Sequence, residues 1–466
     1  MSIRPSTLVV IGGGPAGYVA AIRASQLGIR TTLVEREALG GICLNWGCIP
    51  TKSLLHAADT LSAIRGAADL GIGIEGDISI DISRMVNRSR AISGRLRQGV
   101  QYLMNKHHVE IVRGNARLCG AGQVQVTGEE RDATRRLQAE AILLATGASP
   151  RELETLPVDG EQIWNYRHAL APQSVPASLL VVGAGAIGME FASFYAALGT
   201  RVTVVESREM VLPNEDIEIS KHVAHAYSQR GIELRTETSA TLDHLAEDAA
   251  WMTLRAGDSS STLAFEKVLV CAGVVGNTAG LGLENTAVLA EHGCIRVHAY
   301  GQTDDPDIYA AGDVCGAPML AHKASHEAIR CVEHLAGLHV DPQPPLIPAC
   351  TYCDPQVASV GLTEAAARAD GRTITVGRGS FHSNGKALAL EHPEGFVKTI
   401  FDAQTGELLG AHLVGPEVTE LIQGLSLARQ LEATDEDLMR HVYAHPTLSE
   451  AIGESALSAL GRAIHS

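Results

Sequence analysis

The chain writes one local pattern twice. Leu8-Val9-Val10-Ile11 runs into Gly12-Gly13-Gly14-Pro15-Ala16-Gly17, and Leu180-Val181-Val182 runs into Gly183-Ala184-Gly185-Ala186-Ile187-Gly188. Each copy continues through an Ala-rich amphipathic stretch and a Leu-Gly-x-Arg step. Each then ends in a β-branched run that closes on an acid, Glu35 or Glu206, 23 residues after the first glycine. A lone GxGxxG is a weak signal. Here each loop follows a strand, opens a helix and reaches its acid on schedule, which is the context a dinucleotide-binding unit requires. The first glycine permits the tight turn. The second lets the backbone approach a pyrophosphate, and the third packs helix on strand. The helix N-terminus then faces the phosphates. The fold must therefore carry two such α/β units.

At about 150 residues per domain, 466 residues leave room for one domain more. With 45% hydrophobic and 19% charged residues the composition is that of a globular chain. The net charge of -16 opposes a nucleic-acid partner. No apolar run approaches the ~18 residues of a membrane span. Thr7 to Ile11 leads straight into glycines, so it reads as a strand and not as the apolar core of a signal peptide. The nine cysteines, odd in number and mostly scattered, argue against a disulfide-stapled secreted fold and for a reducing compartment. A cytoplasmic location is the expectation.

Helical stretches are expected near 53–68 and 83–107, with a short β region reaching about 145. Ala145-Thr146-Gly147-Ala148 closes the first block and Val270-Cys271-Ala272-Gly273 the second. A strand then ends at Gly312-Asp313. Pro342-Gln343-Pro344-Pro345 and Pro348 mark a domain boundary. Beyond it, β-rich runs at 357–361, 395–401 and 407–415 alternate with helical ones, an α+β pattern.

Two cysteines stand five apart in GGICLNWGCIPTK, residues 40–52. On one regular helix, Cys43 and Cys48 would diverge by roughly 140°. A disulfide needs Cα atoms about 4.4–6.8 Å apart, so pairing requires a bend, for which Gly47 supplies the freedom. Pro50 suits a first helical turn, which places Cys48 near a helix N-terminus that favours a thiolate. Lys52 lies one turn on, and its charge acts the same way. Taken alone, the spacing fits two buried thiols equally well. The glycines and Lys52 favour redox chemistry. Cys350-Thr351-Tyr352-Cys353 also has CxxC spacing, but no second ligand pair stands near it, and no metal is expected. Cys119, Cys271, Cys294, Cys315 and Cys331 read as small buried apolar residues. Near the C-terminus, His445-Pro446-Thr447-Leu448-Ser449-Glu450 offers an imidazole for proton transfer and a carboxylate to fix its tautomer. With 19 histidines in the chain, a structural role for any one of them is the usual case.

These residues together resemble the flavin-dependent pyridine nucleotide–disulfide oxidoreductases, from the Gly12 loop to the last helix. The most specific pieces are GGICLNWGCIPTKSLL at 40–55, AAGDV at 310–314, MLAHKASHEA at 319–328 and AHPTLSE at 444–450. The resemblance implies two Rossmann-like dinucleotide-binding domains plus a C-terminal α+β dimerisation domain. The implied boundaries are 1–148 with 274–341 for FAD and a central domain, 149–273 for NAD, and 346–466 for dimerisation. Gly12, Gly14, Gly17 and Glu35 would hold the adenosine half of FAD. Arg36, Ala116, Lys52, Thr146, Gly147, Asp313 and the segment Met319, Leu320, Ala321, His322 would line the rest. Gly183, Gly185, Ile187, Gly188, Glu206, Ala240 and Gly273 would take NAD, with Glu206 on the adenine ribose and repelling a 2′-phosphate. Glu190 would pair with Lys52 beside the flavin.

The implied reaction is oxidation of protein-bound dihydrolipoamide. His445 takes a proton, the substrate thiolate attacks Cys43, and Cys48 is left as thiolate. Electrons then pass through FAD to NAD. His445 and Glu450 would come from the partner in a homodimer. The implied partners are lipoyl domains of an acyltransferase or carrier protein within a 2-oxoacid dehydrogenase or glycine-cleavage complex. In one place the chain departs from the family: Gly273-Val274-Val275-Gly276-Asn277 replaces Gly-Arg-x-Pro-Asn, which removes a basic residue from the cofactor path. Two rival readings are a glutathione-reductase-like enzyme and a catalytically silent structural flavoprotein. The retained Glu206 opposes the first, and the complete set of Cys43, Cys48, His445 and Glu450 opposes the second. The tail has no cysteine pair of the kind carried by mercuric and large thioredoxin reductases.

Overall fold

A computed structural model describes residues 5–128 and 134–465; residues 1–4, 129–133 and 466 of the expected domains lie outside it. Contacts divide the chain into two compact units. One gathers residues 1–54, 83–151 and 273–345, and the other 55–82, 152–272 and 346–466.

The first unit is built on a five-stranded parallel sheet. In spatial order the strands are Ile308–Ala310, Ala141–Leu144, Thr7–Ile11, Arg30–Glu35 and Glu110–Arg113. Val9 lies beside Thr32 on one side and Ile142 on the other. Central strands of a parallel sheet are buried on both faces, which is why 8–11 and 141–144 are apolar without alternation. Helix α1 (Pro15–Gln26) covers one face together with the helix Ala321–Leu335, through Ala20, Ala21, Ala24, Ala328 and Val332. Small residues on α1 let the two helices approach closely. A three-stranded antiparallel sheet, Asn115–Leu118, Gln123–Thr127 and Thr134–Gln138, packs with the other face through Leu118, Val124, Val126 and Leu137.

Two helices carry the cysteine segment. They are α2 (Gly41–Trp46) and α3 (Cys48–Arg65), separated by Gly47. Helix α4 (Ile82–Lys106) follows, and buries Val100 and Met104 in the same core.

The second unit repeats the plan. Its parallel sheet runs Glu233–Arg235, Arg201–Val205, Ser178–Val182, Lys267–Val270 and Ile163–Trp164, again with a three-stranded antiparallel sheet (239–245, 250–256, 259–265). It also holds the C-terminal sheet, an antiparallel array of Ala349–Thr351, Gln356–Gly361, Leu408–Gly415, Phe396–Asp402 and Ile374–Ser380. The strand Ile374–Ser380 is absent from the sequence expectation; it carries Gly377 and Gly379, which weaken a strand pattern. Those glycines have a packing reason. A Cβ at either would sit 1.8 Å from Ser455 O or 2.0 Å from Ala451 O, so the helix Glu450–Ala459 lies directly on the strand backbone.

The cysteine expectation needs one correction. Cys331 is buried, but Cys119 is exposed, and Cys271, Cys294 and Cys315 are only partly covered. Cys119 follows the edge strand Asn115–Leu118, where its side chain meets solvent instead of core.

Candidate active site

The two glycine loops have matching geometry. Gly12 and Gly183 hold φ of 106° and 105°, in the left-handed region. A Cβ on Gly17 would lie 1.7 Å from Gly12 O, and one on Gly188 would lie 2.0 Å from Gly183 O. The third glycine of each loop therefore lets the helix lie directly against the turn. The helices open at Gly14 and Gly185 without a side-chain cap and with no acid in the first turn. Their first N–H groups are left for an anion. A Cβ on Gly185 would project into space clear of any atom within 4 Å.

The acids at the strand ends match too. Glu35 accepts from Gly13 N at 2.6 Å and Glu37 N at 2.7 Å; Glu206 accepts from Ala184 N at 2.8 Å and Arg208 N at 3.0 Å. Both carboxylates are buried. Each is thus fixed over its loop, where it can receive ribose hydroxyls. Arg36 is exposed beside Glu35, and Ile187 is exposed on the first turn of the helix Ala186–Ala197. Ala116 and Ala240 occupy corresponding places, each in the first strand of its unit's three-stranded sheet and each half-buried. This donor set fits a dinucleotide at each loop.

In the first unit, Cys43 and Cys48 come together across the Gly47 break. The Cys43 thiol is hydrogen-bonded to Cys48. That bond, and then burial, push its pKa far up, with Lys52 opposing and Asp313 adding to the shift. Cys48 opens α3, where the helix N-terminus favours a thiolate over a thiol. Pro50, in the first turn, lacks an N–H where none is needed. The side-chain amide of Asn45 donates to Leu39 O and Gly41 O at 2.9 Å each, which ties the cysteine helix to the turn before it.

The Thr146-Gly147 turn is locked by Asn277. Thr146 Oγ1 donates to Asn277 O, and Asn277 Nδ2 to Thr146 O, both at 2.8 Å. The strand Val274–Gly276 pairs with Ala148–Pro150, so loss of the family's basic residue leaves the turn after Gly273 intact. Asp313 stands at the end of the Ile308–Ala310 strand, with burial raising its pKa against the pull of Lys323. Glu327 accepts from Gly312 N at 2.9 Å and pairs with Lys323 at 2.9 Å, which holds this loop over the N-terminus of the helix Ala321–Leu335. Met319 and Leu320 lead into that helix, and Ala321 and His322 open it.

In the second unit, His445 Nδ1 lies 2.9 Å from Glu450 Oε1, while Thr447 N donates to Glu450 Oε2 at 2.9 Å. The Thr447 N–H and then His445 hold the Glu450 carboxyl below its ordinary range, so it stays ionised at neutral pH. The His445 side chain is 78% exposed, which leaves its other nitrogen open to a substrate. Glu190 is buried, and its Oε1 accepts from Tyr352 N at 2.9 Å. Asn277, Glu327 and Tyr352 were not singled out from sequence. Asn277 and Glu327 lie within segments quoted for the family resemblance, but only their contacts give them a role.

The profile of the pyridine nucleotide-disulphide oxidoreductases matches residues 6–328, and that of their dimerisation domain matches residues 347–456. The chain belongs to this family. Among its curated relatives are dihydrolipoyl dehydrogenases of Rhizobium etli and Zymomonas mobilis, each 47% identical with 98% of both chains covered. A solved family structure, LpdA of Mycobacterium tuberculosis, superposes with a TM-score of 0.90 at 28% identity, covering 97% of this chain and 99% of that one. The two-domain match and this superposition bear out the expected architecture of dinucleotide-binding domains followed by a dimerisation domain. Among the described residues no helix is long and apolar enough to cross a membrane, and no cluster could hold a metal ion.

Proposed function

We propose that this chain catalyses the dihydrolipoyl dehydrogenase reaction, oxidising dihydrolipoamide on a carrier domain with NAD as final acceptor. The observation that carries the mechanism is the hydrogen-bonded Cys43–Cys48 pair at the start of α3. His445, oriented by Glu450, takes the proton of one substrate thiol. The resulting thiolate attacks Cys43 of the oxidised pair, breaking the Cys43–Cys48 bond and forming a mixed disulfide. The second substrate thiol then attacks the substrate sulfur of that bond, its proton passing to the departing Cys43. Lipoamide leaves, and Cys48 remains as thiolate near Lys52. FAD, held by the first loop and Glu35, would carry the electron pair onward to NAD at the second loop. Glu206 would accept the adenine ribose hydroxyls and repel a 2′-phosphate. Lys52, Asp313 and the 319–322 segment complete the flavin site in this reading. The working form is a homodimer in which His445 and Glu450 serve the partner's cysteines. It operates in the cytoplasm within a 2-oxoacid dehydrogenase or glycine-cleavage assembly.

Anaerobic titration of the purified protein with dihydrolipoamide tests this. A long-wavelength band between the Cys48 thiolate and the flavin is expected after two electrons, and NAD should discharge it. A band that forms only with NADPH, with turnover of glutathione disulfide, would refute the reading.

A further inference from the structure

Helix α4 is out of character with its chain. The protein carries a net charge of -16, yet the 25 residues of α4 include Arg84, Arg88, Arg90, Arg95, Arg97 and Lys106 and no Asp or Glu. A solvated helix in an acidic protein ordinarily mixes signs, because acids four residues from bases stabilise it. Helical spacing at 100° per residue sets Arg84, Arg88, Arg95, Tyr102 and Lys106 on one stripe opposite Ser89, Ser93, Val100 and Met104. The structure agrees: the four stripe cations are exposed, as is Tyr102 at 65%, while Ser89, Ser93, Val100 and Met104 are buried. The stripe spans roughly 33 Å at 1.5 Å per residue. Among the described residues, Arg95 and Lys106 have no ion-pair partner.

The same helix is fastened to the redox segment. Arg88 Nη1 donates to Ser53 Oγ at 2.9 Å, and Arg90 Nη1 to Asn45 O at 2.7 Å. The Arg90 guanidinium also stacks over the Trp46 ring at 4.4 Å. Asn45 and Trp46 lie between Cys43 and Cys48. A body that sits on the stripe is therefore held at a fixed distance from the disulfide.

We infer that the exposed stripe of α4 docks the acidic protein domain that carries the dithiol. The inference rests on the reaction proposed above. The occupant follows from charge. An acid-free cationic stripe attracts an acidic surface and steers its approach. A second copy of the chain is assigned to 347–456, where the dimerisation profile matches. Free dihydrolipoamide has no acidic surface and gains nothing from the stripe. The helix thus acts on the carrier and not on the chemistry.

The test compares two electron donors, free dihydrolipoamide and an isolated acidic lipoyl domain bearing its dihydrolipoyl-lysine. The variant is Arg95→Glu with Lys106→Glu, and the control is Arg95→Gln with Lys106→Gln. Charge reversal should raise KM for the domain about tenfold or more, equivalent to ~1.4 kcal/mol. The neutral variant should give a smaller rise in the same direction. Both variants should keep kcat for the domain and all constants for free dihydrolipoamide. For wild type, added salt should depress kcat/KM for the domain far more than for the free dithiol. Direct binding of the domain, followed by calorimetry, should weaken in parallel without any need for turnover. Equal effects on both donors, or no effect on either, would overturn the inference. So would a charge-reversed variant that sediments as half the wild-type mass, since the stripe would then hold the second copy. Wild type that binds the domain but oxidises neither donor would instead overturn the proposed reaction.

Discussion

At the scale of the residue, the third glycines of the two loops make the sharpest claim. Any Cβ at Gly17 or Gly188 meets a backbone carbonyl oxygen at 2.0 Å or less. Backbone cannot swing aside as a flexible side-chain tip can, so the helix must shift on its turn. Overpacking of this kind costs roughly 1–3 kcal/mol, and more when nothing relaxes. The two loops should nevertheless fail differently. Gly17→Ala should release FAD and lower thermal stability in proportion to flavin loss. Gly188→Ala should keep its flavin and its dithiol half-reaction but raise KM for NAD, by about tenfold for ~1.4 kcal/mol of lost binding. Flavin absorbance after gel filtration and rapid mixing of the two half-reactions would separate them. Equal flavin loss in both would show that the loops do not divide the cofactors between them.

At the scale of the element, the buried cation of the C-terminal sheet holds several pieces at once. Lys398, on the strand Phe396–Asp402, is fully buried. Its Nζ lies 2.9 Å from Asp216, 2.7 Å from Glu218 and 2.8 Å from Glu364. Asp216 caps the helix Ile217–Gln229, whose first turn holds Glu218, and Glu364 opens the helix Glu364–Ala369. Arg378 and then Lys398 hold Glu218 down at about 2. Glu364 is lowered chiefly by Lys398; for Asp216, burial works the other way and is outweighed by Lys398 and the Glu218 N–H. All three carboxylates thus have folded pKa values below their unfolded ones of about 4. Their stabilisation is complete above those unfolded values and is lost as pH falls from about 4 toward 2. Lys398→Met leaves these acids without their cation and should destabilise the fold by about 3–5 kcal/mol at neutral pH. It should also flatten the acid limb of stability, as read from urea midpoints between pH 7 and 3. A midpoint unchanged at pH 7 would show that the acids find other partners.

None of this cluster was legible in the sequence, and the reason is range. Lys398 lies 182 residues from Asp216, and no local period links them. By contrast, the glycine loops, the helix starts and the Cys43–Cys48 spacing are local and were readable, because strand, turn and helix each leave a short-range pattern. The second copy of the three-stranded sheet was missed because short antiparallel strands are specified by their neighbours more than by their own residues. The His445–Glu450 contact was readable as a pair five residues apart. The Gly377 and Gly379 backbone that supports its helix was not.

At the scale of the whole molecule, the question is which chain's histidine serves which chain's cysteines. A homodimer is isologous, so a site shared across the two-fold occurs twice, each copy drawing Cys43 and Cys48 from one chain and His445 and Glu450 from the other. Cys48→Ser homodimers then lack the thiolate in both sites. His445→Gln homodimers lack the base in both, and should lose about 10²–10⁴ in kcat. A heterodimer of the two variants combines them unevenly. One site receives both lesions, and the other receives neither. Co-expression with two different tags and sequential affinity steps would isolate that heterodimer. It should turn over dihydrolipoamide at roughly half the wild-type rate per dimer, though each parent is nearly inactive. Were cysteines and histidine to act within one chain, both sites of the heterodimer would carry a lesion, and its activity would stay at the level of the parents. The two arrangements thus differ by orders of magnitude in one rate. That margin survives incomplete purification, because contaminating parents contribute almost nothing.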